Sequence, residues 1–156
     1  MSRPQPATDA DADDAVELEG EPAFVLWQAA HVSQLAQEAR LGGLGLTLPL
    51  YSTLARLGQR PEASMADLAR FTFTTPQNMS SAVTRLEQMG FVTRRPHPRR
   101  ARMVQLKLTP AGETVLEEAH ALVFEVQDRM IADLTPEELA SLPGILRRCR
   151  DALRPR

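Results

Sequence analysis

A chain of 156 residues, 43% of them apolar, has the length for one globular domain with a real core. Its single cysteine, Cys149, excludes an intramolecular disulfide framework. The absence of a run of about 18 apolar residues excludes a transmembrane helix, and the acidic N-terminus without an apolar stretch is no secretory signal, so a cytoplasmic protein without membrane contact is expected. The formal net charge of -2 conceals strong polarisation. Residues 1–21 hold seven acids against Arg3, and residues 113–138 hold eight against Arg129, while residues 75–108 carry six arginines and Lys107 against one acid, Glu87. Local fields govern association, so this basic stretch in an acidic chain asks for a polyanion.

Residues 1–21, rich in Asp, Ala and Pro and lacking a repeating apolar face, read as a disordered acidic tail, with competition against DNA for the basic segment as its functional alternative. From Pro22 to about Leu41 the chain is apolar almost all round, through Phe24, Val25, Leu26, Trp27, Val32, Leu35 and Ala36. That predicts a helix buried on several sides, with a partner subunit as one source of the burial. Gly42, Gly43 and Gly45 stop it. Thr47 is a candidate N-cap for a second helix with Leu50, Leu54 and Leu57 on one face, ended by Arg60-Pro61.

Ser64 caps a short third helix, Met65 to Arg70, with Asp67 near its positive end. After the loop Phe71–Thr74, Thr75 caps a fourth helix with Pro76 at the first position, and Gly90 terminates it. The period then changes to two. Val104, Leu106 and Leu108 alternate with Met103, Gln105 and Lys107 as a half-buried strand, paired with Phe91–Arg95, and Pro96 and Pro98 are confined to the connecting loop.

Thr109-Pro110 opens a long helix with Val115, Ala119, Leu122, Val126 and Met130 at helical spacing. Thr135-Pro136-Glu137-Glu138 is a capping box for the last one, lined by Leu139, Leu142, Leu146, Cys149 and Leu153. Pro143 removes one backbone bond there, at about 3 kcal/mol, and predicts a kink or a restart.

On the fourth helix, Met79, Ala82, Val83 and Leu86 fall inward, and Gln77, Asn78, Ser81 and Arg85 form an outward row. Gln and Asn match adenine edges and Arg matches guanine. Thr75, Ser80, Ser81 and Thr84 supply hydroxyls near phosphates, with the helix N-terminus. A solvated polar face would look similar, but this helix follows a capped helix and a short turn and runs into a basic hairpin. Arg94, Arg95, Arg99, Arg100 and Arg102, with His97, crowd nine residues without an acid. Arginine suits phosphate forks and narrow minor grooves, and the scarcity of aromatics, 4%, disfavours single-strand stacking. The order is that of a winged helix-turn-helix.

From about residue 24 to 153 the sequence resembles the MarR family of bacterial transcription regulators. The marks are Leu46-Thr47, the 64–70 helix, the run TPQNMSSAVTRLEQMGFV, and the hairpin ending Leu106-Lys107-Leu108-Thr109-Pro110-Ala111-Gly112. The resemblance implies a mainly α fold with a small antiparallel hairpin, in which residues 22–156 form one domain. Within it, 46–109 would be the DNA-binding unit, and 22–41 and 110–154 the dimerisation helices. It further implies a homodimeric repressor on pseudo-palindromic double-stranded DNA, released by a small aromatic or anionic effector. The family's wing carries an Asp-x-Arg pair that falls on Arg100 and Arg102. Arg102 matches as the minor-groove arginine; Arg100 departs, which implies a more basic wing and a larger salt-sensitive, non-specific share of binding.

Trp27, His31 and Tyr51 are candidates for an effector pocket, with plain packing as the alternative for each. His31, His97 and His120 lack the spacing of a metal site, and no cofactor is expected. Cys149 does not match the redox cysteines of the family and reads as a packed, inert thiol. No Ser-His-Asp order, phosphate loop or paired carboxylates point to an enzyme. The alternative to a DNA-binding regulator is a winged-helix module whose arginines dock an acidic protein.

Overall fold

The computed structural model describes residues 20–97 and 100–153, with backbone alone at 96–97 and 100–104. The tail expected at 1–21 lies outside the described residues apart from Gly20 and Glu21, as do Pro98 and Arg99. In chain order the elements are α1 (Pro22–Leu41), a 3-10 turn (Gly42–Leu44), α2 (Leu48–Gln59), α3 (Met65–Phe71), α4 (Pro76–Gln88), β1 (Val92–His97), β2 (Arg100–Leu108), α5 (Pro110–Met130) and α6 (Pro136–Ala152). This is the mainly α architecture with one antiparallel hairpin that the sequence predicts.

The helix boundaries follow local chemistry. Gly45 takes φ 67 after the 3-10 turn, a conformation glycine adopts without a Cβ penalty, and so separates α1 from α2. Thr47 stands at the N-cap of α2, although its side chain makes no cap hydrogen bond. Ser64 and Asp67 form a reciprocal capping box on α3, and Thr135 and Glu138 form another on α6. Such boxes satisfy two of the backbone donors that every helix start leaves free.

One expectation fails. Pro96, expected in the connecting loop, stands inside β1 opposite Val104. A two-stranded sheet leaves one edge of each strand unpaired, where a residue without an N–H is tolerated, and the register shifts at the next step, between Pro96 and His97. Of the kink or restart expected at Pro143, the restart does not occur, because α6 runs through it as one element. No residue of α6 is buried, and Pro143 leaves the Leu139 carbonyl without its usual helical donor.

The core gathers where α2, α3, α4, the hairpin root and the first half of α5 meet. Leu54, Leu57, Leu68, Met79, Val83, Leu86 and Leu106 are at most 2% exposed, with Val115, Leu116 and Ala119 closing the α5 side. Thr53, also buried, donates to the Pro49 carbonyl at 2.8 Å and lies 3.8 Å from the Met79 sulfur, seating α4 on α2. Outside this unit the packing opens. Leu41 is the buried residue of α1, so the burial on several sides expected for that helix is not supplied by the described residues of its own chain. Trp27, Val32 and Leu35 of α1, Phe124 and Met130 of α5, Leu146 of α6 and Leu153 at its C-cap are all exposed apolar side chains. An ion pair between Arg40 and Glu125 ties α1 to α5.

Candidate nucleic-acid interface

Helix α4 is held by its neighbours and open on one side. In α3 the Asp67 carboxylate accepts from the Ser64 hydroxyl at 2.6 Å and the Ser64 backbone N–H at 3.1 Å, and pairs with Arg70. Those hydrogen bonds, the Ser64 hydroxyl first, hold its carboxyl well below the usual range, at about 2. The chain then turns through Thr72–Thr74. Thr72 donates to the Leu68 carbonyl at 2.9 Å, and the Thr74 N–H to that of Ala69 at 3.0 Å. Between them Phe73 takes φ 51 with 86% of its surface exposed, an unusual backbone for a residue that packs on little. Phe71 is half free of the core and carries the Arg56 guanidinium 4.5 Å above its ring.

Thr75 caps α4 by accepting the Asn78 N–H at 3.2 Å. Burial of Met79, Val83 and Leu86 fixes the helix rotation. Gln77, Asn78, Ser80, Ser81, Thr84 and Arg85 are consequently all exposed along the outer side. The Ser81 hydroxyl donates to the Gln77 carbonyl at 3.2 Å, so while that bond is kept it can only accept, which suits a base-edge donor and not a phosphate.

The hairpin joins the end of α4 after Gly90, whose φ is 76. Val92 and Leu106 are buried at its root. Two side chains brace it. Gln105 donates to the Pro61 carbonyl at 3.1 Å. Arg94 places its Nε 2.9 and 3.0 Å from the two carboxylate oxygens of Glu87 on α4. Arg95 is exposed. Arg100 and Arg102 lie on β2, with Arg100 opposite His97 where the register shifts. The sequence reading treats Arg94 as a free wing arginine and misses its partner; Glu87, the sole acid from 75 to 108, is the signal that could have found it.

The effector candidates divide into two groups. Trp27 and His31 are stacked on α1, ring centroids 5.6 Å apart, and Trp27 is 60% exposed. Tyr51 instead shares a 2.8 Å hydrogen bond with Nδ1 of His120, whose ring stacks on Phe124. Burial pushes the Tyr51 phenol up from its ordinary value. The sequence does not pair two residues 69 positions apart. Cys149, expected to be packed, is exposed on α6, because none of the described elements covers that face. Among the described residues no group of three His, Cys, Asp or Glu side chains could hold a metal ion, and no helix is long and apolar enough to cross a membrane.

Comparison with known proteins agrees with this geometry. Residues 44–103 match a model of the MarR family. The chain is 35% identical over 112 residues to the HTH-type transcriptional repressor Rv2887 of Mycobacterium tuberculosis, covering 72% of this chain and 81% of that protein. It is 30% identical over 120 residues to the transcriptional activatory protein BadR of Rhodopseudomonas palustris, covering 75% and 69%. Crystal structures of Rv2887 superpose with a TM-score of 0.69 in complex with p-aminosalicylic acid, at 31% identity, and 0.68 in complex with DNA, at 30% identity. Each covers 83% of this chain and 98% of the other. With its capped helix pair, outward polar row and braced basic hairpin, the chain belongs to the MarR family of DNA-binding transcriptional regulators.

Proposed function

We propose that the protein is a homodimeric, ligand-released repressor that reads a pseudo-palindromic operator. The observation that carries this reading is the row Gln77, Asn78, Ser81 and Arg85, exposed on a helix whose opposite side is locked into the core. Side chains of these types match base edges in a major groove, and the helix caps and wing arginines match phosphates. A second copy would cover the apolar side chains left open on α1, α5 and α6, including a groove of about 670 Å³ lined by Val25, Leu26, Ala29, Leu142 and Leu146. Two reading helices would then meet major grooves about 34–36 Å apart. Action on DNA puts the protein in the cytoplasm.

The effector is a small aromatic acid, a reading supported by the Rv2887 complex with p-aminosalicylic acid. Tyr51 lies on α2 of the reading unit and His120 on α5 of the arm. A ligand that competes for their hydrogen bond can therefore act on the spacing between the two units. Footprinting on the flanking promoter DNA tests the whole reading. Protection of a palindrome-length site, a steep loss of affinity with salt, and release by salicylate are expected, with lower transcription when the protein is bound. Failure to shift any fragment of that DNA at low salt overturns DNA binding, and higher transcription on binding replaces repression with activation.

A further inference from the structure

The only acid in the basic segment sits where it does nothing for its own helix. Glu87 is the penultimate residue of α4, and a carboxylate near a helix C-terminus faces the negative end of the dipole. It is instead bound to Arg94, which lies on the strand face that also carries Val92, because alternate residues share a face. Register adds that Arg94 stands opposite the buried Leu106. Arg95, one residue on, is on the other face. The link from helix to strand is three residues long, and backbone bonds already close it: the Gly90 N–H to the Glu87 carbonyl and the Phe91 N–H to the Leu86 carbonyl, both 2.9 Å. The side-chain pair adds a brace farther out along β1, two residues beyond the root at Val92.

We propose that Glu87 is a positioning residue that clamps the wing to the reading helix through Arg94, and in doing so withholds that arginine from phosphate contact. The clamp sets the angle between the two DNA-touching elements, and angle is what a correct operator rewards. It also removes one positive charge from the sequence-independent attraction. Both effects favour discrimination over total affinity. The inference rests on the DNA-binding reading above.

The test measures affinity against salt for two duplexes of equal length. One is selected by the native chain from a random pool, and the other is a scrambled version of it. If the native chain selects nothing, the DNA-binding reading itself fails. If it selects a site, Arg94→Met should weaken operator binding about tenfold yet leave the salt slope unchanged, because Arg94 touches no phosphate. Glu87→Gln should steepen the slope on both duplexes by about 1.8, the share of one phosphate per protomer of the dimer, and raise scrambled-duplex affinity several-fold. The exchanged pair, Glu87→Arg with Arg94→Glu, keeps the net charge and should recover most of the operator preference lost in either single variant. A slope that falls by about 1.8 in Arg94→Met, one phosphate per protomer, makes Arg94 a phosphate ligand and overturns the clamp. An exchanged pair that folds, by melting and circular dichroism, yet recovers no preference overturns it too. If that pair does not fold, Glu87→Asp decides: it should keep the native slope with a reduced preference, and an unchanged preference rejects the proposal.

Discussion

The Phe91 carbonyl oxygen stands 2.0 Å from the position that a β-carbon on Gly112 would occupy. That carbonyl also accepts the Thr109 N–H at 3.0 Å, while the Thr109 hydroxyl donates to the Gly90 carbonyl at 2.6 Å and accepts the Gly112 N–H at 3.0 Å. The start of the wing and the start of α5 are thus sewn together backbone to backbone. In an open helix Gly→Ala stabilises by about 1 kcal/mol. Here the obstructing atom is main chain and cannot rotate aside, so Gly112→Ala should destabilise by about 1–3 kcal/mol. Urea denaturation checks the sign, and a midpoint that rises instead would mean the wing root can shift freely.

Phe73 calls for the opposite change. A left-handed backbone costs a non-glycine residue about 1–2 kcal/mol, and glycine in the unfolded chain gives back part of that through its extra entropy. The ring is 86% exposed, so its removal forfeits little burial. Phe73→Gly should therefore raise stability by up to about 1 kcal/mol, seen as a higher melting temperature with unchanged circular dichroism. A lower melting temperature would show that the ring packs on something.

What the sequence reveals here is what local spacing can carry. Ser64, Thr75, Thr109 and Thr135 all stand at helix starts and each caps through its side chain, because a cap needs residues only three positions apart. The outward row on α4 follows from the same short period. Thr47 marks the limit of that logic: it occupies the N-cap position without making the bond. Long-range pairs such as Tyr51 with His120 depend on how α2 and α5 pack, and no spacing encodes that. Cys149 is misjudged for a simple reason, whereas for α1 a partner subunit already stands as a source of burial. An apolar face implies burial but not which chain provides it, and within this chain those faces stay open.

The α3 capping box makes part of the stability titratable. The folded Asp67 carboxyl titrates at about 2, against an ordinary value of 3.8, so the folded state favours the ionised form. Its contribution is fully present above the ordinary value and is lost as the pH falls through that value towards about 2. Asp67→Asn should remove this share at neutral pH and flatten the loss of stability between about pH 5 and 2. Parallel urea melts of the native and variant chains across that range measure it. Equal slopes in the two chains would assign the acid sensitivity to other carboxylates.

Position along the interface predicts how the DNA contacts divide. Asn78 stands in the first turn of α4, exposed, with its backbone N–H taken by Thr75 and its side chain free for a base edge. Arg102 lies on β2, in the wing, where arginine meets phosphates or a narrow minor groove whatever the base sequence. Asn78→Ala should change base preference at one position in each half-site, at about 1–3 kcal/mol for the preferred base, with the salt slope kept. Arg102→Ala should lower affinity for every duplex and reduce the slope by about 1.8, one contact per protomer of the dimer. Affinity measured on a set of single-base operator variants at two salt concentrations separates these outcomes. A uniform loss from both variants would mean that the α4 row touches backbone only, leaving operator choice to DNA shape.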